Sequence, residues 1–324
     1  GGTNDNLNEI IKLDETKAAG IKLFLGSSTG NMLVDNEIVL KKIFSNTSLP
    51  IAVHCEDESI IKKNLFECIK TFGDDIPIEK HSEIRSEEAC YLSSSKAIKL
   101  AKETGARLHV FHLSTAKETF LFKNDQPLTS KKITSEVCVH HLLFSEEDYQ
   151  EKGAYIKWNP SIKKASDREE LWKALTDNRI DILATDHAPH TLEEKQNPYT
   201  SAPSGGPLVQ HALIALLTEA KKGKITLEKL VEKACHNPAI LFKIQNRGYL
   251  REGYFADLVL VDLNKKTTVK KENILYKCAW SPFEGMTFDA SIKKTFVNGN
   301  LVYNEGEIIE SGLGKKLTFE RNMI

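Results

Sequence analysis

The sequence has no long apolar run, no basic excess, no closely paired cysteines and no low-complexity tract, and each absence removes a class of protein. Its longest apolar stretches, around residues 211–217 and 256–263, fall far short of the ~20 residues that a membrane-spanning helix requires. With 44 basic and 45 acidic residues in 324, the formal net charge is −1. No basic surplus is there to gather on one face, as nucleic acid or an anionic membrane surface would demand. The six cysteines, Cys55, Cys68, Cys90, Cys138, Cys235 and Cys278, include no C-x-x-C pair. Nothing at the start resembles a signal peptide, and the two observations together predict a reducing cytoplasm. A hydrophobic fraction of 40% and a charged fraction of 27% exclude disordered, collagen-like and disulfide-scaffold chains. What is left is a folded chain of one large or two medium domains, with a small and even anionic substrate still allowed.

What is present is an alternation. Short β-branched runs at 21–25, 50–54, 107–112, 133–140 and 182–186 are separated by helix-like stretches at 36–44, 58–71, 95–103 and 167–178, the signature of repeated βα units and a parallel sheet. Ser166-Asp167-Arg168-Glu169 has the spacing of a capping box for the last of these helices. After about residue 245 the texture changes to short strands at 248–250, 256–262 and 294–303, with Asn298-Gly299 as a hairpin turn. The expected organisation is therefore a (β/α) barrel domain over 1–245 and a small β-sandwich portion with the C-terminal tail over 246–324.

Every barrel strand ends in a polar or ionisable residue. In such barrels the catalytic groups come from the C-terminal ends of several strands, where the loops converge on one mouth. Lys22, His54, His112 and Asp186 are thus expected to face one another although they are far apart in the chain. Imidazole and carboxylate are zinc ligands, and a catalytic zinc keeps a position open for water. His140-His141 is less promising, because adjacent strand residues point to opposite faces, so one at most faces the mouth. Gly26-Ser27-Ser28-Thr29-Gly30 lacks the Gly-Lys-Ser/Thr ending of a phosphate loop. His81 and Arg85 read as a tie between a loop and a helix, and the cysteines as small buried residues.

The motifs Val53-His54-Cys55-Glu56-Asp57, Phe111-His112-Leu113-Ser114-Thr115 and Thr185-Asp186-His187-Ala188-Pro189-His190 together resemble the cyclic amidohydrolase branch of the amidohydrolase superfamily. Within it, Gly26 to Met32, Asn159-Pro160 and Ala188-Pro189-His190 are most similar to the dihydroorotases. The resemblance extends to Ala256-Asp257-Leu258 and Phe296-Val297-Asn298-Gly299, which match the superfamily's β-sandwich tail. It implies a TIM-type (β/α)8 barrel and two zinc ions bridged by Lys22 carboxylated with carbon dioxide. His54 and His112 would hold the second ion, and Asp186 would be both a metal ligand and the general acid/base. Asn159, His190 and the backbone near Gly206 and Pro207 would contact dihydroorotate, opened reversibly to N-carbamoyl-aspartate in pyrimidine synthesis. Leu208 and Gln210 depart from the family pattern, which has glycine and an acidic residue there. Hydantoinase, dihydropyrimidinase and allantoinase activities are the alternatives, and a homo-oligomer stays open.

The family's His-x-His on the first strand, which binds the first metal, has no counterpart here. Strand 21–25 matches the family's fourth, so three strands, on the order of a hundred residues, are missing by barrel proportions. Five strands cannot close a barrel, and alone they are expected to be unstable and inactive. The chain opens Gly1-Gly2-Thr3-Asn4-Asp5-Asn6 like the middle of a loop. The retained site residues favour a piece of an ordinary enzyme over a non-catalytic paralogue serving as a binding or structural partner. A His-x-His in the same reading frame upstream is the expected finding, and an in-frame start near Gly1 without one would overturn the enzyme reading.

Overall fold

The structure is a computed structural model that describes residues 1–26, 32–34, 36–309, 312 and 314–321. Of the Gly26 to Gly30 loop, only Gly26 lies among them. Five parallel strands form one sheet in sequential order: β1 Ile21–Phe24, β2 Ile51–His54, β3 Leu108–Val110, β4 Ile133–Cys138 and β5 Ile182–Ala184. Helices Glu37–Ser45, Glu58–Phe72, Glu87–Thr104 and Ala165–Thr176 fill the crossovers. Three of them begin where a polar side chain satisfies free helix-start amides. Asn36 accepts from Ile38 and Val39, Asp57 from Ser59 and Ile60, and Ser86 from Ala89.

Strand period divides the sheet into two unlike faces. Ile21, Leu23, Ile51, Val53, Leu108, Val110 and Val137 are buried against Ile43, Phe44, Ala97, Ile98, Leu171 and Leu175 of the helices, in one contiguous core. The register places Lys22 beside Ala52, Ala52 beside His109, and His109 beside Thr134. Glu136 follows two residues on, so the other face carries a polar column that includes Lys22, His54, His109, Thr134 and Glu136. His109 is held in it by Thr134 Oγ1 at 2.9 Å and Glu136 Oε2 at 3.1 Å.

The second sheet is antiparallel. It is built from β6 Leu258–Asp262, β9 Ser291–Val297, β10 Asn300–Asn304 and β11 Glu307–Ile308 in the order β11-β10-β9-β6, while β7 Thr267–Thr268 pairs with β8 Thr287–Phe288. The expected Asn298-Gly299 turn joins β9 to β10, with φ of 52° and 84°, the left-handed pair that a tight hairpin requires. Among the described residues no helix is long and apolar enough to cross a membrane.

Several local expectations are corrected. The fourth run stops at Cys138, and His140 and His141 lie on a helix, Val139–Leu143, both buried with ring centroids 4.1 Å apart. The opposite-faces argument therefore does not apply to them. Residues 248–250 form no strand. The helix expected at 167 starts at Ala165, and Ser166 caps nothing there. Because the helix already begins at Ala165, Ser166 lies inside its first turn, and the neighbouring Asp167 accepts from the Ala116 amide at 2.7 Å. Cys235 is exposed, unlike the buried Cys55, Cys90 and Cys138.

At the entry of β4 and β5, Lys131 Nζ lies 2.7 Å from Asp181 Oδ1, and the other carboxylate oxygen accepts from the Ser135 amide at 3.1 Å, all buried. Removing one partner strands the other charge. Asp181→Ala is expected to lower unfolding free energy by about 3–5 kcal/mol in urea titrations, and Lys131→Met with Asp181→Leu to recover most of it. Equal losses in the single and double variants would show that the ion pair is not the cause.

Candidate active site

The site grows from the ends of the strands. His54 closes β2, and its Nδ1 lies 3.0 Å from His112 Nε2. His112 stands two residues beyond β3, and Asp186 two residues beyond β5. Both adopt left-handed backbone, φ 39° and 45°, which side chains other than glycine take up at a cost and which clusters at functional sites. The same offset turns both side chains off their strands toward the mouth.

On the far side of His54, Nε2 lies 2.9 Å from Glu56 Oε2, and Arg85 Nη1 reaches the same oxygen at 2.5 Å. Glu56 is fully buried. Burial alone would raise its carboxyl, but the Arg85 guanidinium and then His54 outweigh it and hold it at about 2. An ionised Glu56 accepts from His54 Nε2–H, which leaves the Nδ1 lone pair facing His112. Burial lowers both imidazoles, His112 far below its ordinary value, so both stay neutral.

Lys22 projects from β1 with Nζ 4.0 Å from the Phe111 ring centre and 4.7 Å from that of Phe24. Burial lowers it to about 8, against the pull of Glu136, Cys55 and Asp186. Burial, reinforced by Glu136, raises Asp186 to about 6 although Lys22 opposes the shift. These mutual influences place Lys22, Asp186 and Glu136 in one electrostatic neighbourhood with the two histidines.

The donor set fits half of a metal centre. Two imidazole nitrogens on one tetrahedral zinc stand about 3.3 Å apart, given bonds of roughly 2.0–2.1 Å, close to the 3.0 Å between His54 and His112. Among the described residues no three His, Cys, Asp or Glu side chains converge closely enough to hold an ion. Lys22 acts electrostatically on both histidines, but a bare ammonium is no ligand.

Further in, buried polar atoms have no hydrogen-bond partner among the described residues: Glu56 Oε1, His112 Nδ1, His141 Nδ1, Trp158 Nε1 and Asn159 Oδ1. His140 stacks on Trp158 at 4.3 Å between centroids and leans on the Thr185 backbone, while His141 Nε2 faces Pro160 O at 3.1 Å. Unpaired buried polar groups cost free energy unless a ligand or water meets them, so this cluster marks where polar ligand atoms belong. His190 is half-buried, its Nδ1 3.5 Å from Glu194, and its carbonyl accepts from Trp280 Nε1 at 2.8 Å. No hydrogen bond joins it to Asn159 among the described residues.

Gly206 lies against Trp158 and Trp280, where an added Cβ would come within 2.7 Å and 3.1 Å of their rings. Leu208 is buried. Gln210 donates to Asn273 O at 2.7 Å and accepts from Leu275 N at 2.8 Å, and a carboxylate could not make the first bond. That two-way tie accounts for an amide at this position. His81 bridges Tyr199 and Trp158 O, the tie expected of it. Sequence reasoning gave no role to Glu56 or Glu136, although Glu56 stands two residues after His54 and Glu136 falls on the polar period of its strand.

The Amidohydrolase family profile matches residues 13–302. The dihydroorotase of Halobacterium salinarum is 30% identical over 321 residues, covering 98% of this chain and 72% of the relative. That of Pyrococcus horikoshii is 32% identical over 312 residues, covering 95% of this chain and 66% of the relative. Among solved structures, the L-hydantoinase (dihydropyrimidinase) of Arthrobacter aurescens superimposes with a TM-score of 0.90 at 30% identity, over 98% of this chain and 72% of that one. The chain thus spans about two thirds of the length of the curated relatives it matches.

The Glu56 shift makes stability depend on pH. A carboxyl at about 2 when folded, against an ordinary 4.5, contributes stability in full above about pH 4.5 and loses it as pH falls toward 2. The contribution is on the order of 3 kcal/mol. Urea unfolding followed across that window should show a shallower pH dependence in Glu56→Gln than in the parent protein, and an unchanged slope would refute the assignment.

Proposed function

Because the chain belongs to the amidohydrolase family, we propose that it acts as a dihydroorotase, which hydrolyses the cyclic amide of dihydroorotate reversibly to N-carbamoyl-aspartate. The observation that carries the reading is the facing pair of neutral imidazoles, His54 and His112, beside Lys22 and Asp186. The dihydroorotases among its relatives support the substrate.

In this reading His54 and His112, Lys22 once carboxylated, and Asp186 would hold zinc, with two ions per active site. Bound there, it would make a water nucleophilic at neutral pH and polarise the amide carbonyl. The rest falls to side chains. Glu56, kept ionised by Arg85, holds the His54 ring in one tautomer and orientation. Burial lowers the Lys22 pKa and so moves it toward the neutral amine that carboxylation requires. Asp186, raised toward neutrality, takes a proton from the attacking water at its carboxylate and returns it to the departing ring nitrogen as the amide C–N bond breaks. Asn159 Oδ1 and Trp158 Nε1 are the unpaired groups that would meet the ring, with the Gly206–Pro207 backbone as the opposite wall. His190 is the partner for the substrate carboxylate. The reading sets the reaction in pyrimidine synthesis and in the cytoplasm.

The likeness to the L-hydantoinase supports a second reading, in which the ring lacks a carboxylate. Assays of the full-length protein with dihydroorotate, hydantoin and allantoin distinguish them, and preference for either of the latter two would refute the first reading. Asp186→Asn is expected to lower kcat by roughly 10²–10⁴-fold. Dialysis against a chelator should abolish turnover and added zinc restore it. Turnover that survives complete metal removal would exclude this mechanism.

A further inference from the structure

Two buried lysine ammonium groups, Lys157 and Lys195, have no carboxylate partner among the described residues. Lys157 and Lys195 are 6% and 2% exposed. No carboxylate is among the groups acting on either. Burial lowers Lys195 to about 7 and Lys157 to about 8, and the added influence on each is another cation, Lys157 on Lys195 and Arg85 on Lys157. Lysines are seldom buried unless paired. Here the pairing is with main chain. Lys157 Nζ donates to Tyr199 O at 2.6 Å and Ala202 O at 2.5 Å. Lys195 Nζ donates to Pro203 O and Gly205 O, both at 2.8 Å, and to Lys157 O at 3.4 Å. An ammonium has three donors, and Lys195 uses all of them. A glutamine has two and a methionine none.

The carbonyls so held belong to the segment that leads into Gly206. On one side the segment is fastened to the strand-end loop of Asp186: Ala188 N donates to Gly206 O at 3.2 Å, and Leu208 N to His187 Nδ1 at 3.0 Å. On the other, Gly205 N donates to Lys157 O at 2.8 Å, one residue before Trp158 and two before Asn159. The fit is tight. Gly205 has φ 120°, and a Cβ there would meet Ala188 O at 2.5 Å.

We propose that Lys157 and Lys195 are positioning residues that pin segment 199–206 by its carbonyls and so set the gap between the Trp158–Asn159 wall and the Asp186–His190 loop, where an anionic cyclic substrate is gripped. Their unbalanced positive charge also favours an anionic group over a neutral one at that wall. The identity of the substrate rests on the reading of the site given above, whereas the pinning does not.

Hydrogen exchange and steady-state kinetics of the full-length protein test the two parts separately. In Lys195→Met, amides of 199–206 should exchange at least about tenfold faster with β1 to β5 unchanged. KM for dihydroorotate should rise about tenfold while kcat stays within roughly threefold, with a smaller change for hydantoin. Lys195→Arg, which keeps charge and donors, should restore part of both effects. Lys157→Gln, which removes fewer contacts, should show the same pattern more weakly and serves if Lys195→Met does not fold. Unchanged exchange over 199–206 in the folded variants, or exchange raised equally in the strands, would overturn the proposal. Should the parent protein not turn over dihydroorotate, the substrate reading alone fails and the exchange data still decide the pinning.

Discussion

Glu56 cannot escape its charged form, and the site is organised around that constraint. Its carboxylate is sealed from water, and the Arg85 guanidinium beside it makes the proton too costly to hold. A fixed negative charge selects which nitrogen of His54 carries hydrogen, and that choice turns the remaining lone pair toward His112. Three parts of the chain are thereby registered on one another: the end of β2, the turn after β3, and the loop carrying Arg85, whose carbonyl is itself held by Ser161 Oγ at 2.9 Å. Because Ser161 follows Asn159-Pro160, Arg85 is joined on one side through Glu56 to the two imidazoles and on the other, through its own carbonyl, to the segment that carries the unpaired Trp158 and Asn159 groups.

Much of this frame was legible in the sequence. Alternating runs located all five parallel strands to within a few residues, because a strand's outer face must be apolar to pack on helices while its inner face is free to be polar. The same logic exposed His54, His112 and Asp186, each at or just beyond a strand end, whereas Lys22 stands second in β1, on its inner face. It misread His140 and His141, where the apolar pattern runs smoothly across a boundary at which the backbone turns from strand to helix. Composition carries no mark of that turn. Ser166 failed as a cap for a related reason: the helix begins one residue earlier, at Ala165, which puts Ser166 inside its first turn.

The loops were the least legible part. Lys195 follows two glutamates and looks like a solvated lysine, and neither it nor Lys157 betrays its partners, because main-chain carbonyls leave no side-chain signature. Gln210 shows the same limit in reverse. A departure from the family pattern, taken alone, weakened the functional reading of its loop, yet the structure supplies a packing reason in its two-way tie to residues 273–275.

The polar column on the inner face has a consequence for how such a chain ages under selection. Lys22, His109, Thr134 and Glu136 occupy positions that valine or isoleucine would fill if stability alone were at stake, since burying ionisable groups is a cost that hydrophobic neighbours do not repay. A lineage that ceased to need the chemistry would therefore drift toward a greasier interior and a higher melting temperature. Charge and imidazole along that face thus cost stability that only a chemical use of them could repay.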